Sequence, residues 1–200
     1  HLGGTNRIRS MPQAPHIVAT MADTGQAHVW NIRGQMRQLH IAEQKLLDAE
    51  NMGVGDVTAP ASGNTSTAMG HNVIRTQPLQ SFKGHPEEGF AVDWSPKVKG
   101  NLLTGDCSRH IYFWEPLEGG SRWHINKQPF TGHTDSVEDI QWSPVEPTVF
   151  ASCSVDKSVR IWDTRRRKKP MLNIMGAHST DVNVISWNTV KTYLVASGGD

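Results

Sequence analysis

This sequence predicts an all-β fold, a fragment of a β-propeller built from repeated four-stranded blades, on three observations. The first is an ordered residue set that recurs. His1, Pro12, Ala19 and Trp30 return as His85, Pro96, Leu103 and Trp114 after 84 residues, and as His133, Pro144, Ala151 and Trp162 after another 48. A fourth copy, His178, Trp187, Ala196 and Ser197, starts 45 residues later. Self-similarity at this period denotes stacked supersecondary units, none of which buries its apolar face alone. The second observation is the punctuation: Gly84-His85 and Gly132-His133 open two copies, and Trp162-Asp163 closes one. The third is local pattern, short β-branched and aromatic runs divided by turn residues. Three blades plus part of a fourth are expected here, in a parent propeller of about seven blades, within the usual range of roughly 4 to 8.

Residues 1–33 hold the first copy, without the strand that would lead into His1. Residues 34–78 are an insert: Trp30 to His85 spans 55 residues where Trp114 to His133 spans 19. Within it, residues 35–50 predict a helix, since good helix formers run unbroken by Gly or Pro and Met36, Leu39, Leu46 and Leu47 fall near one face. From Asn51 to about Gln77 the chain turns to Gly, Ser, Thr, Asn and Ala, a composition expected to stay disordered. An outer strand is expected over residues 79–82.

The second blade region covers residues 79–118, with strands at 90–94, 102–104 and 111–114 and an outer strand at 130–131. The third blade covers residues 127–165. Val137, Asp139 and Gln141 alternate there with Glu138, Ile140 and Trp142, and Ser143-Pro144 ends the strand because proline lacks the N–H of a ladder. Strands at 149–152 and 159–162 flank a tight turn at 155–158. Residues 171–200 begin a fourth, truncated blade, with an outer strand at 171–175. Because His1 and Asp200 both fall inside repeats, the chain is expected to be a piece of a longer one.

Twenty Lys and Arg against 19 Asp and Glu give a net charge of +1. Five of those basic residues sit in one run, Arg165, Arg166, Arg167, Lys168 and Lys169, which leaves 15 against 19 elsewhere. A mildly acidic body thus carries one basic loop. The two cysteines, Cys107 and Cys153, make no disulfide framework and fit a reducing compartment. No apolar run approaches the ~20 residues of a membrane helix, and no signal peptide is visible. P-loop, Gly-x-Ser-x-Gly and His-Glu-x-x-His motifs are absent. The expectation is a non-enzymatic chain with no catalytic residues, no metal and no cofactor.

The histidines occupy one place in four different blades, so they cannot converge on one ion. These repeats resemble the WD family, in which the loop His joins a Ser or Thr, a turn Asp and a strand Trp. The resemblance implies His133, Ser152, Asp156 and Trp162 in the third blade, His85, Thr104 and Trp114 in the second, and His178 and Ser197 in the fourth. The second repeat carries Ser108 where the Asp belongs, and the first carries Thr24, so weaker networks are expected in both. An unpaired buried imidazole or indole would cost roughly 1–3 kcal/mol, which makes these residues scaffold.

Two surface features remain. Arg165, Arg166, Arg167, Lys168 and Lys169 read either as a solvated rim turn or as an import signal or nucleic-acid contact, with no aromatic residue interleaved to stack on bases. In a propeller the loop before the innermost strand and the turn before the third strand emerge on one face. Glu87, Glu88, Asp135, Glu138 and Asp181, with Asp23, map there, either as a ring selecting a basic partner or as scattered solvated acids.

Some stretches resemble one family more closely. Gly89-Phe90-Ala91-Val92-Asp93-Trp94-Ser95-Pro96, Ser136-Val137-Glu138-Asp139-Ile140-Gln141-Trp142-Ser143-Pro144 and Asp181-Val182-Asn183-Val184-Ile185-Ser186-Trp187 are similar to the glutamate-rich WD-repeat proteins, the ribosome assembly WD-repeat group. Asn6-Arg7-Ile8-Arg9-Ser10-Met11-Pro12-Gln13 is similar also to the retinoblastoma-binding histone chaperones. The chain departs from both in the insert after Trp30. The resemblance implies a nuclear and nucleolar propeller that escorts a basic protein of the large ribosomal subunit, meets pre-ribosomal particles indirectly, and takes neither a membrane nor a small-molecule substrate. It also implies two alternatives. One is a histone-binding chromatin subunit. The other is a substrate receptor of a ubiquitin ligase, since Trp162-Asp163-Thr164-Arg165 resembles the WDxR receptor motif.

Overall fold

The computed structural model describes residues 3–51 and 76–200. His1, and nearly all of the loop expected between Asn51 and Gln77, lie outside those residues. Two units are distinguished, His1–Asn31 with Pro78–Asp200, and Ile32–Gln77. The second unit contains one helix, α1 (Arg33–Asn51), which starts two residues before the expected position. Met36, Leu39, Ile41, Leu46 and Leu47 on it are all exposed. No helix among the described residues is long and apolar enough to cross a membrane.

The first unit is built of antiparallel sheets in which each strand pairs with the next along the chain. β1 (Thr5–Met11), β2 (Ala14–Ala22), β3 (Ala27–Asn31) and β4 (Gln80–Phe82) make the first sheet. β5 (Ala91–Trp94), β6 (Leu102–Gly105), β7 (Ile111–Pro116) and β8 (Trp123–Ile125) make the second. β9 (Val137–Trp142), β10 (Val149–Ser154), β11 (Val159–Asp163) and β12 (Leu172–Ile174) make the third. β13 (Val182–Trp187) and β14 (Val195–Gly199) pair as a two-stranded sheet. The leading strands β1, β5, β9 and β13 are neighbours in that order, the inner row of consecutive propeller blades.

Repeat and sheet are offset. Residues 80–82 belong to the second copy by sequence, yet β4 pairs with β3, Ala27 opposite Phe82 and Val29 opposite Gln80. The outer strand of the second sheet also differs from expectation. It is β8 at Trp123–Ile125, while Phe130 makes only an isolated bridge with Ile111. Trp123 gives the reason: its indole is buried 6.1 Å from that of Trp94, and its Nε1 donates to Gly100 O at 2.7 Å. A buried indole with a satisfied N–H removes more apolar surface from water than Thr131 could.

Turn geometry recurs with the repeat. Gly25, Arg109 and Lys157 occupy equivalent positions between second and third strands, with φ of 71°, 74° and 66°. Each donates its N–H back three residues, to Ala22 O, Asp106 O and Ser154 O. After the leading strand, Ser95 and Ser143 turn the chain: their Oγ atoms accept from Val98 N and Glu146 N, both at 3.0 Å. Asn188 does the same in the last sheet, its Oδ1 accepting from Lys191 N at 2.7 Å. Short polar side chains that bond forward to the backbone favour turns for this reason.

The apolar core lies between sheets. Met11, Met21 and Val29 share a cluster with Trp94, Leu102 and Trp114. Leu103, Phe113 and Phe130 share the next with Ile140, Phe150 and Trp162. Hydrogen bonds cross the same seams. Trp94 Nε1 donates to Arg9 O at 2.9 Å, and Trp142 Nε1 to the equivalent Asp93 O at 3.2 Å. Asp93 Oδ2 accepts from Trp142 N at 2.8 Å, as Gln141 Oε1 accepts from Trp187 N at 2.6 Å.

Asp93 is the charged member of that pair, and burial pushes its carboxyl up from 3.8 to about 7, against the stabilising Trp142 N–H. The unfolded chain therefore loses this proton near pH 4 while the folded chain keeps it to about pH 7. Asp93 disfavours folding increasingly as pH rises across that window. Asn keeps the acceptor and removes the charge. Asp93→Asn is expected to match the parent near pH 4 and to be more stable at pH 8, with a ceiling of ~4 kcal/mol at about 1.4 kcal/mol per pKa unit. Urea unfolding at both pH values checks this; a pH-independent difference would refute it.

Candidate functional site

The third sheet carries one connected polar network. Trp162 Nε1 donates to Ser152 Oγ at 2.8 Å. His133 Nε2 lies 2.7 Å from the same Oγ, and His133 Nδ1 lies 2.9 Å from Asp156 Oδ2. A carboxylate accepts only, so His133 Nδ1–H donates to Asp156 and Nε2 is left to accept from the Ser152 hydroxyl. Burial lowers the His133 pKa, so the imidazole is neutral. Burial by itself would raise Asp156, but bonds from His133, Ser158 and Thr134 N outweigh it and hold the carboxyl well below its usual range. Gly132 precedes this His because a Cβ there would sit 2.9 Å from both Trp162 Cη2 and Arg160 Nη1.

The second sheet repeats the network with one change. Trp114 Nε1 donates to Thr104 Oγ1 at 3.0 Å, and His85 Nε2 lies 2.8 Å from that oxygen. His85 Nδ1 lies 2.7 Å from Asp106 Oδ2, with both side chains fully buried. The expected weakness of this blade is therefore corrected. Its carboxylate comes from Asp106, directly after β6 and two residues ahead of Ser108, and the turn holds it there, with His110 N donating to Asp106 Oδ1 at 2.9 Å.

In the first sheet Trp30 Nε1 donates to Thr20 Oγ1 at 2.8 Å; its loop His1 lies outside the described residues. In the last sheet His178 Nε2 lies 2.9 Å from Ser197 Oγ, in an exposed setting.

Arg160 was not foreseen. It is buried at 4% exposure, its Nε donating to Ser158 Oγ at 3.0 Å and its Nη2 to Asp156 Oδ2 at 3.2 Å. Tyr112 and His28 hold the same repeat position, two before the Trp, and also end on polar partners: Tyr112 OH donates to Gly84 O, and His28 Nδ1 lies 2.7 Å from Ser81 Oγ. That shared place, a polar tip two residues before each strand Trp, was the available signal.

The acidic positions share one end of the sheets. Glu87, Glu88, Asp135 and Asp181 precede leading strands, Glu138 is the second residue of β9, and Asp23 lies in the β2–β3 turn. Adjacent blades touch along this end. A Cβ on Gly25 would meet Glu87 O at 2.7 Å, Val137 N donates to Asp106 O, and Lys157 Nζ donates to Ser179 O. Cys107 reports the local field: burial raises its pKa first, and Glu138, Glu88 and Glu87 all raise it further. Exposed Arg109 and Lys157 stand in the same row of turns, in the second and third blades, and offset part of the negative charge there. Glu88 also accepts from Asn6 Nδ2 at 2.8 Å.

The basic run lies at the opposite end, in the β11–β12 connection. Arg165 Nε donates to Asp163 Oδ1 at 2.9 Å, a pairing that draws the Asp163 carboxyl down to about 2. Arg167 lies over the rings of Phe113 and Phe130, 5.3 and 5.6 Å from their centroids, and its Nη2 is 3.6 Å from Glu115 Oε2. Arg166, Lys168 and Lys169 are exposed. Among the described residues no group of three His, Cys, Asp or Glu side chains is placed to hold a metal ion. Both cysteines are free thiols, and burial pushes Cys153 up to about 12.

Ser152 is the joint of the third-blade network, since one hydroxyl serves both Trp162 and His133. Ser152→Ala is expected to cost about 2 kcal/mol or more, with two buried groups losing a partner. Ser152→Thr, the residue found at positions 20 and 104, should recover most of it. Denaturant unfolding of the two variants checks this, and equal stability of Ser152→Ala and the parent would refute it.

The WD domain, G-beta repeat family model matches residues 125–163. The chain is 45% identical over 173 residues to Protein HEAT STRESS TOLERANT DWD 1 of Arabidopsis thaliana, covering 86% of this chain and 32% of that protein. It is 44% identical over 168 residues to Glutamate-rich WD repeat-containing protein 1 of Dictyostelium discoideum, covering 84% and 29%. Against Ribosome assembly protein rrb1 of Schizosaccharomyces pombe it is 35% identical over 190 residues, covering 92% and 34%. The chain thus spans about a third of the length of these relatives. Blades each held by a Trp–hydroxyl–His relay in the second and third sheets, and relatives of one kind along most of its length, make the chain a member of the WD40 family, within the glutamate-rich WD-repeat group related to the ribosome assembly proteins.

Proposed function

We propose that this WD40 scaffold uses the acidic end of its blades to hold a basic client, a protein of the large ribosomal subunit, during ribosome assembly in the nucleus and nucleolus. The observation that carries the reading is the placement of Glu87, Glu88, Asp135 and Asp181 directly before leading strands and of Glu138 at the start of β9, all at one end of adjacent blades. Carboxylates gathered at loops raise the encounter rate of a Lys/Arg-rich partner and reject acidic ones. The similarity to a ribosome assembly protein supports the client class. The polar residues inside the blades are engaged with one another, so recognition falls to the loops.

A chromatin role with a histone as client would use the same acidic end. A ligase-receptor role would instead use Trp162-Asp163-Thr164-Arg165, where Asp163 and Arg165 are bonded to each other at the opposite end. Affinity purification of the full-length protein, scored for ribosomal proteins, histones and ligase subunits, separates the three readings. Recovery of ligase subunits alone would overturn the client reading.

Charge reversal tests the surface itself. Glu87→Lys with Glu138→Lys is preferred, because Glu88 also bonds Asn6. The double variant is expected to weaken a purified basic ribosomal protein by about tenfold or more at low salt, with the difference shrinking as salt screens exposed charge. Unchanged affinity at 50 mM salt would discard the acidic end as the client surface.

A further inference from the structure

The basic run does not stand alone. Residues 165–171 face residues 127–131, and two adjoining cavities of about 770 and 330 Å3 lie along the groove between them. Six basic residues line it, Lys127 and 165–169, with no acidic residue among the lining groups. Two of the six are held by the fold, Arg165 by Asp163 and Arg167 by Glu115 and two phenylalanine rings. Lys127, Arg166, Lys168 and Lys169 are exposed and project positive charge along the groove. Arg167 Nη1 is buried and has no hydrogen-bond partner among the described residues. An unpaired buried donor is costly, and more so on a charged group, so an acceptor in the groove would be favoured there.

We propose that this groove binds the phosphate backbone of single-stranded nucleic acid without reading its bases. Three features select that ligand. The unengaged charges are chiefly lysines, compact point charges that suit a row of phosphates. A single phosphorylated side chain would instead call for a bidentate arginine fork held in place by the fold, whereas Arg165 is bonded to Asp163, Arg167 is paired through Nη2 with Glu115, and Arg166 is an exposed side chain on the loop. Base stacking needs an open aromatic face, whereas Phe113 and Phe130 are buried at 4% and 1% exposure, beneath Arg167.

Antiparallel topology sets the basic run, one wall of this groove, at the end of the blade away from the acidic loops. Thr164 N donates to Thr148 O there, linking the β11–β12 and β9–β10 connections. The site is therefore independent of the client surface: either can fail without the other.

The test uses fluorescence anisotropy of the full-length protein with a labelled 20-nucleotide oligouridylate, the matching oligothymidylate, and poly-glutamate as competitor, between 50 and 200 mM salt. One variant carries Lys127→Gln, Arg166→Gln, Lys168→Gln and Lys169→Gln. A control removes the same charge elsewhere, with Arg37→Gln, Lys45→Gln, Lys83→Gln and Lys191→Gln, all exposed. Circular dichroism verifies that both fold. Four phosphate contacts on a single strand predict a slope of log affinity on log salt of about −3. The groove variant is expected to lose most of that slope and at least tenfold in affinity at 50 mM salt, and the control to keep both. Preference for uridylate assigns the site to RNA; equal binding of thymidylate keeps the backbone site and assigns it to either nucleic acid. Three results would overturn the proposal: no binding at 50 mM salt, equal losses in groove variant and control, or displacement by poly-glutamate at the same charge concentration as the oligonucleotide.

Discussion

A buried indole N–H needs an acceptor, and much of this architecture follows from meeting that need. Trp30, Trp114 and Trp162 each point Nε1 at a hydroxyl on the neighbouring second strand, at 2.8, 3.0 and 2.8 Å. The hydroxyl must be Ser or Thr, since a longer side chain would separate the strands and Ala would leave the donor unpaired. In two blades a neutral His accepts a hydrogen bond from the hydroxyl at Nε2 and donates its Nδ1–H to a carboxylate. Each group in the relay has one role left for it by its neighbour. Such a chain defines a single arrangement of loop, turn and strand, and it spends the polar chemistry of the interior on structure.

That arrangement holds a blade together but does not join it to the next. The joints between blades are apolar seams crossed by a few polar contacts, with Asp93 and Gln141 doing equivalent work from the ends of their leading strands. Gln supplies a neutral acceptor; Asp supplies a carboxyl that burial forces toward protonation. The same geometric task is thus met with and without a titratable group, and only one of the two seams responds to pH through this contact.

With the interior committed, charge is left to the loops, and antiparallel pairing sorts it. Connections before leading strands and before third strands emerge at one end, and the remaining connections at the other. The acidic positions fall in the first set and the basic run in the second.

Much of this was legible in one dimension. Strand positions and the turn residues follow from spacing, because a blade is a local unit whose contacts recur at fixed separations, and the sets His133, Ser152, Asp156 and Trp162 or His85, Thr104 and Trp114 follow from the resemblance of those repeats to the WD family. Helix α1 was legible for the same reason, as unbroken helix-forming residues with a 3.6-residue pattern. What spacing could not supply were choices among competing partners. Asp106 replaces the missing turn carboxylate from a neighbouring position, Trp123 takes the outer-strand place from residues 130–131, and Arg167 leaves the solvated run to cover two phenylalanines. Each of these depends on which side chain reaches a given point in space once sheets have stacked. Periodicity records where a residue lies along its strand; only the folded stack of blades decides what stands across the seam from it.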